Sequence, residues 1–391
     1  MKLALKLAFR NLIGAGIRTW LNVVVLSFSF VIIIAAKGIL VGWDRQAKND
    51  MAKWEIGGGQ YWDKNYDPYD AFTLEDAHAQ IPPGFRQEIK EGNMVPVLIA
   101  QGTIYPEGRI QSILIKGISP EQTLLALPTH KLDTVVGVIP ALIGSNMARL
   151  NKLNEGDNVT IRWRDKNGTF DAAEIVIAGI FKTNVPTVDA AQIWIPLDRL
   201  QSMLLLPNEA TLLTFRDEEK IRTDEGTWKL MSFKTLMSDI EAMIKTKSVG
   251  QSIYYSILLV LALLAIFDTQ VLSIFRRQRE IGTYIALGYT RNEVVGLFTI
   301  EGGMHALFAA GVGAIYGIPL LIWFAHKGIS LGTSSSDYGF AIADTMYPVY
   351  SGTLIAGTTL IVFLATTLVS YWPSRKIAKM NPTEALRGKL Q

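Results

Sequence analysis

Residues able to do chemistry are few in this chain, and they are not gathered. The four histidines, His78, His130, His305 and His326, stand far apart, without the spacing of a metal-ligand set. No Gly-x-x-x-x-Gly-Lys-Ser/Thr loop is present to cradle phosphates, so these residues do not bind and hydrolyse ATP in the usual way. A Gly-x-Ser-x-Gly elbow and a His-Glu-x-x-His zinc motif are also missing. There is no cysteine, hence no disulfide. The expectation is a non-enzyme with no metal or cofactor of its own.

What remains is charge set beside apolar runs. Asp268 and Glu301 fall in or near such runs. Acids in lipid are costly unless they face polar partners, so by default they raise a transport role. Arg276, Arg277 and Arg291 lie close in sequence, and pairing with them is the favoured reading. Between Phe275 and Glu301 the chain reads FRRQREIGTYIALGYTRNEVVGLFTIE, a short basic connector between two long apolar segments. Within it, Gln278–Asn292 is predicted to form a helix whose bases, Glu280 and apolar Ile281, Ile285 and Leu287 suit a groove on a soluble partner.

The elements that must position this connector are membrane spans. Four segments reach the roughly 20 apolar residues a bilayer crossing needs: Trp20–Gly42, Ser252–Phe275, Val294–Ala325 and Ser351–Trp372. The third exceeds one crossing, so it is expected to tilt or to extend beyond the lipid. Lys2, Lys6, Arg10 and Arg18 precede the first span, Arg276, Arg277, Arg279 and Arg291 follow the second, and Arg375, Lys376, Lys379, Arg387 and Lys389 fill the tail. Short basic flanks stay in the cytoplasm, so both termini and the connector are expected inside. The first span is read as a retained anchor, because its basic lead and its apolar run are both too long for a cleaved signal.

The expected layout is a cytoplasmic amphipathic helix over 1–19, spans at 20–42, 251–275, 294–325 and 350–372, and a cytoplasmic loop at 276–293. A large outer domain fills 43–250, an outer loop 326–349, and a cytoplasmic tail 373–391. Strand-like runs at Val95–Ile104, Arg109–Ile118, Asn158–Trp163, Ala173–Phe181 and Ala191–Ile195 make the outer domain α+β. Asp165-Lys166-Asn167-Gly168 reads as a hairpin turn, and Ala141–Leu150 and Pro196–Leu205 as short helices. No breaker interrupts the helical pattern from Trp43 to Gly57, or from Phe233 into the second span, which predicts two helical stalks.

Two further surfaces stand out. Gly302, Ala306, Ala310 and Ala314, with Ala309, Gly313 and Gly317 alongside, let the third span approach another helix closely, inside this bundle or on a second subunit. Ile39, Leu40 and Trp43 end the first span, and Ile253, Tyr254 and Ile257 begin the second. With Lys37 nearby they form a candidate site of lateral substrate access, weighed against a plain interfacial aromatic belt.

Several motifs together resemble the FtsX/MacB-like family of ABC transporter permeases, in the branch that includes lipoprotein-release permeases. They are Arg10-Asn11-Leu12 with Arg18-Thr19, Ile143-Gly144-Ser145-Asn146-Met147-Ala148 leading to Glu155-Gly156-Asp157, Ile177–Lys182, and Trp194–Leu197. Strongest are Arg279-Glu280-Ile281-Gly282 with Ala286-Leu287-Gly288, and the tail Pro373-Ser374-Arg375 with Asn381–Leu386. Residues 55–135 match loosely.

The resemblance implies an α-helical membrane protein with four transmembrane helices and a MacB-like periplasmic core between the first two spans. That core has a porter-like part and an inserted lobe. It implies a bacterial cytoplasmic (inner) membrane location, with the large domain periplasmic or extracellular. By the same resemblance, Arg279, Glu280, Ile281, Gly282, Ile285, Ala286, Leu287 and Gly288 couple to a cytoplasmic ATPase. That partner binds the ATP and magnesium, and because no phosphate loop is present here, a separate ATPase polypeptide is expected. A second permease subunit, identical or not, membrane lipids and a periplasmic adaptor or carrier complete the partners, with no nucleic acid among them. The implied mechanism is mechanotransmission, in which ATPase closure moves the spans and outer domain to extract or export an amphipathic lipoprotein, lipid, peptide or drug-like molecule. Control of a cell-wall hydrolase in an FtsX-type complex, or peptide sensing, stays open as an alternative.

Overall fold

The structure, a computed structural model, describes residues 9–10, 14, 16–133, 137–216, 226–330 and 345–379. Most of the expected amphipathic helix over 1–19, and the tail motif at 381–386, lie outside the described residues. The chain divides into two compact units, one of Met1–Trp43, Met243–Ile329 and Tyr347–Gln391, the other of Asp44–Ala242 with Ser330–Met346.

The first unit is helical. Helices α1 (Ile17–Met51), α4 (Ser238–Arg276), α6 (Arg291–Lys327) and α7 (Gly352–Ser374) are each long and apolar enough to cross a membrane. They meet in one cluster, where Val23, Leu26 and Phe30 of α1 pack on Ala262, Ile266, Ala306, Ala309 and Val362. Small residues on α6 make this approach possible. Ala306 and Ala309 are buried, and a Cβ on Gly317 would come 2.6 Å from the Val31 side chain. A Cβ on Gly302 would meet the Ser370 side chain at 2.1 Å. Of the expected stripe, Gly302, Ala306, Ala309, Gly313 and Gly317 therefore pack within the bundle, while Ala314 faces outward. Pro319 lies inside α6 without ending it.

The second unit is built on a sheet of mixed strands. In chain order the strands of the unit, of which the short second and ninth pair only with each other, are β1 (Gly59–Asp63), β2 (Ala79–Gln80), β3 (Met94–Ile104), β4 (Gln111–Ile118), β5 (Ile139–Gly144), β6 (Asn158–Arg164) and β7 (Phe170–Phe181). Then follow β8 (Gln192–Pro196), β9 (Glu209–Ala210), β10 (Leu212–Phe215) and β11 (Trp228–Ser232). The nine-stranded sheet runs β11-β1-β10-β3-β4-β8-β5-β7-β6, and β6 also pairs with β3. That last ladder, Gly102↔Trp163 to Ile104↔Ile161, closes six strands into a barrel with no free edge among them. Ile104, Ile113, Ile115, Ile143, Ile161, Trp163, Ile177 and Ile193 fill it.

Two sequence readings are corrected here. Ala141–Leu150 is not one helix: Ile139–Gly144 is strand β5, and only Ser145–Asn151 is helical (α2). Pro140 to Gly144 are all buried, and a short run apolar on every position carries no period that separates strand from helix. The change of direction at Gly144 is tight, since a Cβ there would lie 2.3 Å from the Asp189 carbonyl oxygen. Asp189 Oδ1 accepts the Asn146 N–H at 3.1 Å, which caps α2. Phe233–Leu236 is a separate turn of helix ahead of α4. Helix α3 (Leu197–Leu204) follows Pro196 as expected. The Glu155-Gly156-Asp157 motif is a turn: Gly156 has φ +93°, and Glu155 Oε1 accepts both the Ile180 N–H at 2.9 Å and Lys131 Nζ at 2.8 Å.

At its start α1's last regular turn gives way to a π-helical turn, Ala52–Ile56, ended by Gly57 at φ +65°. Glu55 on that turn accepts from Lys116 Nζ at 3.1 Å, Thr187 Oγ1 at 3.0 Å and Gln192 Nε2 at 3.3 Å. Lys116 also lies over the Trp194 ring, 5.0 Å from its centroid. Lys48 near the end of α1 pairs with Glu241 of α4 at 2.7 Å.

Candidate functional site

The connector folds as helix α5 (Gln278–Ala286), with Leu287 as its C-cap. The predicted single helix over Gln278–Asn292 is corrected: Gly288 takes φ +98°, where the chain turns, and Arg291 and Asn292 already belong to α6. Thr290 caps α6 through a reciprocal box with Glu293, whose carboxylate accepts the Thr290 N–H at 2.8 Å.

Gln278, Ile281 and Gly282 are buried and Ile285 half-buried, the i, i+3, i+4, i+7 stripe of an amphipathic helix. Ile281 packs with Ile274, Val294, Val295, Phe298 and Ile377. It is thus a core residue of this unit, and cannot enter a partner's groove. Arg279, Thr283, Ala286, Leu287 and Gly288 form the solvent-facing surface, with Leu287 72% exposed.

Behind this surface lies an ion cluster. Arg277 Nη1 reaches both Glu301 carboxylate oxygens at 2.7 and 2.8 Å. Its Nε and Nη2 reach Glu280 at 2.6 and 2.7 Å, a bidentate pair. The guanidinium also covers the Phe298 ring, 4.7 Å from its centroid, and Tyr284 donates its hydroxyl to Glu280 at 3.0 Å. Burial works against the Arg277 charge, but the hydrogen bonds to Glu280 and the nearby Glu301 outweigh it and hold its pKa above the ordinary value. The bond from Arg277 holds the Glu280 carboxyl below the usual range. Glu301, the acid that raised a transport reading, is therefore the buried counter-ion of Arg277. Glu280, expected on the docking surface, is half-exposed and paired with the same arginine.

The candidate access residues have unlike environments. Leu40 and Trp43 are buried and Ile39 half-buried. The backbone of 347–350 covers this end of α1: the Val349 N–H donates to the Gly38 carbonyl at 2.9 Å, and a Cβ on Gly42 would lie 2.2 Å from the Tyr347 carbonyl oxygen. Ile253, Tyr254 and Ile257 are exposed on α4, beside Val260 and Leu261. Of these six candidate residues, only the three on α4 are open to the outside.

Residues 252–382, which hold α5 and the whole ion cluster, match the family described as FtsX-like permease C-terminal. This is an FtsX-like permease domain. An uncharacterized ABC transporter permease, MJ1507, of Methanocaldococcus jannaschii is 32% identical over 136 residues, 34% of this chain and 31% of that protein. The macrolide export ATP-binding/permease protein MacB 2 of Aeromonas hydrophila is 24% identical over 212 residues, 50% of this chain and 30% of that protein. MacB of Agrobacterium fabrum is 27% identical over 161 residues, 40% of this chain and 22% of that protein. The matches thus span a third or less of the length of these curated relatives. Among solved structures, the extracellular domain of the noncanonic ABC-type transporter YknZ from Gram-positive bacteria has TM-score 0.26 and 11% identity, over 44% of this chain and 98% of that one. Its likeness is too slight to bear on the fold. The chain thus joins an FtsX-like permease domain over residues 252–382 to four helices long and apolar enough to cross a membrane, and it is similar over part of its length to ABC-transporter permeases.

Proposed function

We propose that this chain is a membrane subunit that converts ATP hydrolysis, performed by a cytoplasmic ATPase outside these 391 residues, into movement of its outer domain. The observation that supports it is the build of the connector. Leu287, Ala286, Thr283 and Arg279 form an exposed strip, and that strip is braced from behind by Arg277, Glu280 and Glu301. A surface that receives force needs a stiff backing, and three charged groups locked by short hydrogen bonds supply one. Both termini and the connector face the cytoplasm in this reading, and Asp44–Ala242 faces the periplasm or exterior. An amphipathic substrate reaches the exposed apolar strip of α4 from the outer leaflet, and a second permease subunit completes the transporter.

The test is L287E together with R279E, assayed with the cognate ATPase in membranes. The pair should abolish stimulated ATP hydrolysis and ATPase co-purification while the chain still inserts and keeps its unfolding midpoint. Normal coupling in that variant would remove the connector from the proposal.

A further inference from the structure

The second unit carries a cleft of about 700 Å³ that no transport step uses. Its floor is the outer face of the barrel wall. Directly opposed residues share a face, and the pairs Gln101↔Leu114, Thr103↔Ser112 and Thr103↔Arg162 set these five side chains together. Ile104, Ile113, Ile161 and Trp163 alternate with them and fill the barrel. Leu74, Glu75 and Asp76 form one wall, and the hairpin turn at Asp165–Gly168 with Phe170 forms the other.

The charges here are not all satisfied internally. Glu75 is taken by Arg164 at 2.7 Å. Asp165 is taken by its own turn, accepting the N–H groups of Asn167 and Thr169 at 2.9 and 2.8 Å. Arg162 lies over the exposed Phe170 ring, 4.2 Å from its centroid, with no carboxylate partner among the described residues. Lys166 and Asp76 likewise have no side-chain partner there. The cleft therefore presents two free cations, one free acid, a row of amide and hydroxyl groups, and apolar patches at Leu74 and Leu114.

We infer that this cleft binds an extended peptide segment bearing acidic side chains. Arg162 and Lys166 would take its carboxylates, while Gln101, Thr103 and Ser112 would bond its backbone. Asp76 would accept an N–H, and Leu74, Leu114 and Phe170 would seat apolar side chains between the acids. An acyl chain fits poorly, because it would strip water from these polar groups and return no hydrogen bonds. A phosphate backbone meets Asp76 as well as the two bases. With the barrel closed, β3, β4 and β6 offer no edge for strand addition, so recognition falls to side chains. The inference does not depend on the transport reading.

The experiment measures fluorescence anisotropy on the full chain in detergent. The probe is a short labelled peptide of alternating Glu and Leu, compared with the same peptide carrying Lys for Glu. The Glu peptide should bind, more weakly at high salt, and the Lys peptide should not. R162E with K166E should weaken binding about tenfold or more, from the loss of two charge-assisted contacts. The neutral pair R162Q with K166Q should fall between, and R109E, an exposed base outside the cleft, should change nothing. Near-ultraviolet circular dichroism identifies any variant that fails to fold, and the neutral pair then decides. Equal affinity for both peptides, indifference to both cleft variants, no binding at all, or displacement by stearate but not by unlabelled Glu peptide would each overturn the assignment.

Discussion

Replacing Arg277 with Met removes one charge and keeps most of the side-chain volume, so it isolates the electrostatics of the cluster behind α5. In the folded chain Arg277 Nη1 bridges both oxygens of Glu301, whose side chain is 7% exposed. Without the guanidinium, Glu301 keeps a buried charge with its main counter-ion gone. Breaking a buried pair from one side costs about 3–5 kcal/mol, and losing the contact over Phe298 adds about 1 kcal/mol. Arg277 is itself 20% exposed, and water entering the vacated space recovers part of this, so about 3 kcal/mol is expected. E301Q alone should cost less, about 1–2 kcal/mol, because Arg277 keeps its bidentate bond to Glu280. The double variant R277M/E301Q leaves only the half-exposed Glu280 without its arginine, where water can solvate it. Its cost should fall short of the sum of the two singles by about 2 kcal/mol, within the range of coupling between contacting residues. Reversible unfolding of the full chain in mixed micelles of rising SDS fraction, followed by tryptophan fluorescence, gives all three values. An R277M cost below about 1 kcal/mol, or strict additivity, would refute the account of Glu301 as a dependent counter-ion.

Gly302→Val places a side chain where Ser370 already stands, 2.1 Å from a Cβ, and should cost about 1–3 kcal/mol in the same assay. Gly296→Val, with nothing within 4 Å, should stay within about 0.5 kcal/mol of the parent. In the outer unit, the hydrogen bond from Lys131 and then that from the Ile180 N–H hold the Glu155 carboxyl below its usual range. A carboxyl lowered by folding contributes stability above its unfolded pKa of about 4.3 and loses it as pH falls through the lower folded value. Thermal midpoints should therefore put E155Q below the parent at neutral pH, with the gap closing as the solution is acidified below about pH 4. Residues 44–242 expressed without the spans should unfold cooperatively as a monomer, since clusters around Ile115 and Trp194 give this unit a core of its own. A gradual, non-cooperative melt would count against that.

The sequence by itself determined what depends on neighbours in the chain. Four helices able to cross a membrane were legible because length and apolarity are local properties; three contain their predicted segments whole, and the fourth begins one residue later, after its cap Ser351. The Asp165–Gly168 turn and the positions of five strands were legible through turn chemistry and alternation, to within a few residues at each end. The proximity of Arg277 to Glu301 was readable as one of three possible partners. Which arginine it would be depended on the angle between α5 and α6, set by the turn at Gly288. Tertiary structure alone decided that Ile281 faces inward and that Glu280 pairs with Arg277: an amphipathic helix has an apolar stripe whether it meets its own core or a partner. Tertiary structure also turned Ile139–Gly144 into a strand, because β7 and β8 flank it on both sides. Closure of the barrel through β3 and β6 joins residues about sixty apart, and no local pattern records such a register. The unpartnered Arg162, Lys166 and Asp76 follow from that closure, since only the finished barrel wall brings them to one cleft.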